Sequence, residues 1–252
     1  MTLPGLVRRS LSYYWRPNLA VALGVATAVA VLGGALLVGE SVRASLRRIA
    51  LERIGAAEYV VTSATPFREQ LAGAWRGAAP MMAMEGLVTH QASRRRATGI
   101  FVYGVDDRFW RFHQRPAQAL GERDVAVSEA LAAELGLNAG DTLLLRMEKP
   151  TDIPAESLFG RKDDPAPTIR LKAKAVLSGS QMGEFTLRPT QGAVRALFVP
   201  LELMQREMNV AGRVNTILLG RSAGAPEQML RTAFQLEALG LPVREFGDRD
   251  AL

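Results

Sequence analysis

The sequence predicts an α+β protein: one membrane-spanning helix near the N-terminus, then a mixed α/β domain. Three observations predict it. The stretch from Pro17 to Gly39 carries no charged residue. Beyond it, short apolar runs alternate with short helical patterns, and strands outnumber helices. Mean hydropathy is only +0.05, too low for a bundle of many spans.

The span comes first. Leu19 to Val38 is an unbroken run of apolar and small residues. Twenty helical residues rise about 30 Å, the thickness of a bilayer's hydrocarbon core. Tyr13, Tyr14 and Trp15, followed by Arg16, suit the membrane–water interface. Arg8, Arg9 and Arg16 place the N-terminus in the cytoplasm by the positive-inside rule, although Arg43, Arg47, Arg48 and Arg53 on the far side weaken the asymmetry. A cleaved signal peptide is the competing reading, but the run is longer than a usual h-region and no A-x-A site follows. Gly24, Ala26, Ala28, Ala30, Gly33, Gly34 and Ala35 suit close helix packing in lipid; equally, such residues are common in spans.

Helical spacing continues through Val42, Leu46, Ile49 and Ile54, and Gly55 offers a C-cap. One helix from Asn18 to Ile54 is therefore expected, its last turns forming a stalk. The organisation reads as a cytoplasmic or interfacial start (1–17), a transmembrane helix (18–39), a stalk helix (40–55) and an extracytoplasmic domain (56–252). The chain ends in Gly-Asp-Arg-Asp-Ala-Leu with no closing element, so the domain reads as incomplete at its C-terminus.

Within the domain, Glu58–Thr62 predicts a strand and Phe67–Trp75 a short helix. Met81–His90 and Thr98–Val105 predict strands joined by a basic hairpin connection, Gln91–Ala97. Asp106-Asp107 predicts a turn that caps a helix over Phe109–Phe112. Asp124–Ser128 predicts a strand, Glu129–Leu135 a helix ended by Gly136, and Thr142–Met147 another strand. Pro150 to Pro167, with four prolines, predicts a long exposed loop. Ile169–Leu177 alternates as a half-buried strand does. Arg195–Val199 and Val214–Leu219 predict strands with a helix, Leu201–Met208, between them. Ala225–Leu239 predicts a helix and Pro242–Phe246 a strand.

Composition excludes several chemistries. The chain has no cysteine, hence no disulfide, thiolate metal site or cysteine nucleophile. His90 and His113 lie 23 apart without ligand spacing around them, so no metal ligand is assigned. There is no G-x-x-x-x-G-K-[ST], no G-x-S-x-G and no H-E-x-x-H; Gly179-Ser-Gln-Met-Gly183 fails the second spacing. Net charge is +6, but no nucleic-acid motif accompanies it, and a membrane segment does. No catalytic, cofactor-binding or metal residue is assigned, no cofactor is expected, and the chain reads as non-enzymatic. In Leu135-Gly-Leu-Asn-Ala-Gly-Asp141, glycine supplies positive φ and Asp141 is placed to bond turn amides.

Four segments carry a resemblance. Val125 to Leu143, with its Leu135-Gly136 and Gly140-Asp141, is similar to a stretch in the extracytoplasmic domains of FtsX-like/MacB-like ABC transporter permeases. Ile100-Phe-Val-Tyr-Gly-Val-Asp106, Leu197-Phe-Val-Pro-Leu201 and Val214-Asn-Thr-Ile217 also resemble that family. So does the order of a basic start, a span, a stalk and an α+β domain. The resemblance implies a periplasmic core domain of MacB type and a permease component, or N-terminal fragment, of an FtsX/MacB/LolC-type transporter in a bacterial inner membrane. It implies a P-loop ATPase subunit and further permease spans as partners, beside membrane lipid. The alternative is a single-pass anchored periplasmic binding or scaffold protein without an ABC partner.

Overall fold

The computed structural model describes residues 3–147, 168–190 and 192–221. The expected loop over 150–167, the helix over 225–239 and the strand over 242–246 lie outside the described residues. The chain divides between Glu52 and Arg53 into two compact units.

The first unit is helical. Helix α1 spans Leu3–Tyr13 and helix α2 spans Trp15–Ile54. The sequence reading has no helix over 3–13; the missed signal is the spacing of Leu6, Val7, Leu11 and Tyr14, which puts them on one helical face. Helical bonding carries over the joint, since Tyr14 N–H donates to Ser10 O (2.9 Å) and Asn18 N–H to Tyr14 O (3.0 Å). Pro17 has no N–H to offer Tyr13 O, so one rung is missing where α1 ends.

The second unit is built on strands. They are β1 (Tyr59–Arg68), β2 (Ala79–His90), β3 (Arg96–Val105), β4 (Asp124–Ser128), β5 (Thr142–Met147), β6 (Thr168–Leu177), β7 (Ala196–Pro200) and β8 (Arg213–Leu219). Short helices α3 (Asp107–Phe112), α4 (Glu129–Leu135) and α5 (Leu201–Glu207) lie between them. The order is β1-β8-β2-β3-β7-β4-β6-β5, and β5 also pairs with β2. Six strands, β2-β3-β7-β4-β6-β5, thus close into a ring, and the β8–β1 ribbon leaves it at the start of β2. Closure removes the free edges those strands would present. The β3–β7 and β4–β6 pairs are parallel and the rest antiparallel, in keeping with a mixed α+β architecture.

The core has two parts because the central strands bury both faces. Residues of every ring strand, Val88, Val102, Val127, Leu145, Leu171 and Leu197 among them, join a cluster with Leu131 and Leu135 of α4 and Leu203 and Met204 of α5. The opposite positions on β3, β4 and β7 (Tyr103, Ala126, Phe198) join Phe109 and Trp110 of α3 and Phe185 in a second cluster. Strand β6 differs: Ile169, Leu171 and Ala173 are buried, while Arg170, Lys172 and Lys174 are exposed.

One local expectation is corrected. Phe67–Trp75 is not a helix. Phe67 is the fully buried partner of Val214 on β8, so the strand continues through Arg68, and only a short 3-10 turn, Glu69–Ala74, follows. Burial against a distant strand outweighs local preference here.

Candidate functional site

The apolar helix is the first candidate. Its most apolar stretch has mean hydropathy 2.4 with none of it buried, and α2 as a whole buries no residue. It is long and apolar enough to cross a membrane by length and composition. Thr27, the polar residue within Leu19–Val38, turns its hydroxyl back to Leu23 O (2.8 Å), which suits a lipid surround.

The second candidate is the cluster of segments that carry the resemblance. Far apart in sequence, three of them are neighbours in the sheet, β3 against β7 and β7 against β4, while the fourth, on β8, pairs with β1 and β2. β3 and β7 pair in parallel, with Val102 opposite Leu197 and Tyr103 opposite Phe198. Gly104 of β3 lies under α5; a Cβ there would sit 2.6 Å from Met204 Sδ, so a larger residue would require the Met204 side chain to move. Asn215 of β8 does what a backbone usually does. Its Oδ1 accepts from Ala83 N–H and its Nδ2 donates to Ala83 O, both at 2.8 Å. These bonds satisfy β2 where it departs from β8 toward the ring.

The 125–143 stretch has the structure the sequence predicts. Ser128 caps α4 by accepting from Leu131 N–H (3.3 Å), and the same hydroxyl oxygen accepts from Ala196 N–H of β7 (2.9 Å). Gly136 ends the helix in the left-handed region, at φ 64. Asp141 Oδ2 accepts from Asn138 N–H (2.8 Å), closing the turn into β5. Asp106 likewise caps α3 through Arg108 N–H (2.8 Å) and binds the Arg108 side chain; Arg108 also reaches Glu69, on which Gln205 Nε2 donates (3.0 Å). The Asp106 carboxylate beside it raises the Arg108 pKa.

Both histidines are buried. His90, 4% exposed, has Nδ1 2.8 Å from Ser93 Oγ and Nε2 3.5 Å from Asp141 Oδ2, an association the sequence reading did not find. This trio has the composition of an acyl-transfer relay but not its disposition. Ser93 Oγ already serves its own turn, accepting from Arg95 N–H (3.3 Å) and facing Leu135 O, and Asp141 is held by Asn138. His90 Nδ1 lies 3.3 Å from Leu135 O and so ties the β2–β3 turn to the end of α4, while Nε2 faces Asp141 without a hydrogen bond. His113, 7% exposed, accepts from Ala56 N–H (3.2 Å) on Nδ1 and is ringed by Phe109, Phe112 and Phe185. Burial, aided by the charge of Arg115, pushes its pKa down to about 4. Arg53 opens the same unit with its guanidinium largely buried, donating to Thr190 O (2.7 Å) and Gly192 O (3.0 Å) and pairing with Glu184 (3.2 Å). Among the described residues, no group of three or more His, Asp or Glu could hold a metal ion.

Fold and candidate sites together define a mixed α+β domain, tied internally by caps and clamps, in a chain that also carries one helix of membrane-spanning length. No protein-family model matches the chain, and no curated protein does. Among solved structures, the chain is similar to the periplasmic region of MacB from Actinobacillus actinomycetemcomitans. Identity is 11% and the TM-score 0.40, over 68% of this chain and 73% of that one. It is also similar to the extracellular domain of the noncanonic ABC-type transporter YknZ from Gram-positive bacteria, at 9% identity and TM-score 0.41, over 69% and 88% of the two chains.

Proposed function

We propose that the chain is a non-enzymatic permease component of an FtsX/MacB/LolC-type ABC transporter. In this reading α2 crosses a bacterial inner membrane with its N-terminal side cytoplasmic, and the stranded unit lies on the periplasmic side. A cytoplasmic P-loop ATPase supplies the energy, and α2 passes its motion toward the periplasmic unit. The observation that carries the reading is the arrangement of the resembling segments: β3 pairs with β7 beside α5, β7 pairs with β4, and 125–143 folds as strand, capped helix, left-handed glycine and tight turn. The unburied apolar helix in the same chain supports it.

The test is affinity capture of the tagged chain from membranes in mild detergent, followed by mass spectrometry. Recovery of a P-loop ATPase is expected. Recovery of the chain alone, under conditions that keep a control complex intact, favours a single-pass anchored binding or scaffold protein. ATP hydrolysis by the purified chain itself would contradict the non-enzymatic assignment.

A further inference from the structure

Helix α1 and the joint that follows it carry an apolar stripe that is exposed among the described residues. Leu6, Val7, Leu11 and Tyr14 are all more than half exposed. At about 100° per residue they share an arc about 140° wide. Arg8, Arg9 and Ser12 occupy the opposite side. The helix has 11 residues, about 16 Å, too short to cross a bilayer.

Three features identify what covers the stripe. No Asp or Glu precedes Glu40, so Arg8, Arg9 and Arg16 act without counter-charge in sequence. The joint between α1 and α2 is aromatic: Tyr13 and Tyr14 pack edge to face at 4.9 Å, and the Arg16 guanidinium sits 5.5 Å from the Trp15 ring centre. Amphipathic rings and a cation at the end of an apolar helix belong at headgroup depth. At that joint Pro17 leaves one rung unmade, a common cause of a bend, although Tyr14 and Asn18 N–H still bond across it. A short, basic, amphipathic helix starting at headgroup depth meets the conditions for lying in the interface.

We propose that α1 is a lipid-surface helix. It lies in the membrane plane with Leu6, Val7, Leu11 and Tyr14 in the acyl boundary, and Arg8 and Arg9 bind anionic headgroups. The proposal rests on α2 being a span, and adds to that reading a lipid class recognised by this chain.

The absence of cysteine makes the test direct. Spin labels go singly at Leu6→Cys, Leu11→Cys, Ser12→Cys and Leu32→Cys of the full chain. The chain is reconstituted in vesicles of phosphatidylcholine, with or without 30% phosphatidylglycerol. Accessibility to oxygen and to a water-soluble nickel complex is then read by power saturation. With phosphatidylglycerol, labels at 6 and 11 should favour oxygen and the label at 12 nickel. The R8Q/R9Q variant should lower the surface-bound to free ratio roughly 30-fold, at about a fivefold factor per charge. Equal nickel access at 6, 11 and 12, with Leu32→Cys in lipid, overturns the proposal and leaves the span standing. Labels at 6 and 11 shielded from both reagents whatever the lipid charge, with dipolar broadening, show helix pairing and also overturn it. Nickel access at Leu32→Cys overturns proposal and span together.

Discussion

The Leu19–Val38 stretch of α2 and the central strands β3, β4 and β7 are both apolar and use it in opposite ways. Over Leu19–Val38 the helix is apolar on every side and buries nothing. Strands β3, β4 and β7 are also apolar on both sides, but Val102 and Tyr103, Val127 and Ala126, Leu197 and Phe198 are all within a few per cent of complete burial. An all-round apolar helix finds no low-dielectric surround among the described residues, whereas strands of six or so residues find theirs in the layers on either side. Substitutions that introduce charge or remove volume should separate the two cases.

The largest effect is expected in the helix. V25R/L32R places two guanidiniums near the centre of the proposed span, at a cost of about 6 kcal/mol together. The variant should move from the carbonate-resistant membrane pellet to the soluble or degraded fraction. If it stays in the pellet at the parent level, α2 is not what holds the chain in the membrane. Next is the ring. Phe198 is fully buried with its ring centre 5.6 Å from Tyr103, 6.0 Å from Phe109 and 5.7 Å from Trp110. Phe198→Ala should cost about 4 kcal/mol in denaturant unfolding of the detergent-solubilised chain. Leu32→Ala should leave that transition in place, because Leu32 is 66% exposed and buries little side chain.

How far the sequence reveals these regions follows from where the information lies. β4, α4 and β5 fall on the residues expected, Asp124–Ser128, Glu129–Leu135 and Thr142–Met147. Their ends are set by local chemistry: the Ser128 cap, the Gly136 C-cap and the Asp141 turn. β6 is legible because its solvent face alternates charge with the buried positions. The run at Phe67 misleads because its partner, Val214, is almost 150 residues away. Ring closure through β2 and β5, the parallel β3–β7 neighbours and the approach of His90 to Asp141 are likewise long-range, and no local pattern announces them. Helix α1 is local, and the spacing of Leu6, Val7, Leu11 and Tyr14 announces it.

His113 sharpens the comparison through pH. Its pKa falls from the ordinary 6.5 to about 4 on folding. Between those values the unfolded chain binds more protons than the folded one, so stability rises with pH across the window. It is therefore fully present above about 6.5 and lost progressively down to about 4. The difference amounts to about 3 kcal/mol at the acid limit. His113→Leu should flatten that part of the stability–pH curve, read by unfolding midpoints from pH 7 to pH 4. An unchanged slope would mean that the ring of Phe109, Phe112 and Phe185 does not hold the imidazole neutral.

The smallest effect tests how the β8–β1 ribbon is tied to the ring. Asn215 lends β8 a side-chain amide that binds both backbone groups of Ala83, and Thr216 Oγ donates to the same Oδ1 (3.1 Å). Asn215→Ala removes those bonds and leaves Ala83 N–H and O without them, at a cost of about 2 kcal/mol. Asn215→Asp keeps the acceptor for Ala83 N–H but turns the Nδ2 donor into an oxygen facing Ala83 O. Asp should therefore be no better than Ala, although it is nearly isosteric. Hydrogen exchange at Ala83 and Met84 should accelerate in both variants, while exchange at Val102 and Leu145, deep in the ring, should follow only the global loss of stability. If Asp matched the parent, the Nδ2 bond to Ala83 O would contribute nothing, and backbone pairing alone would join ribbon to ring.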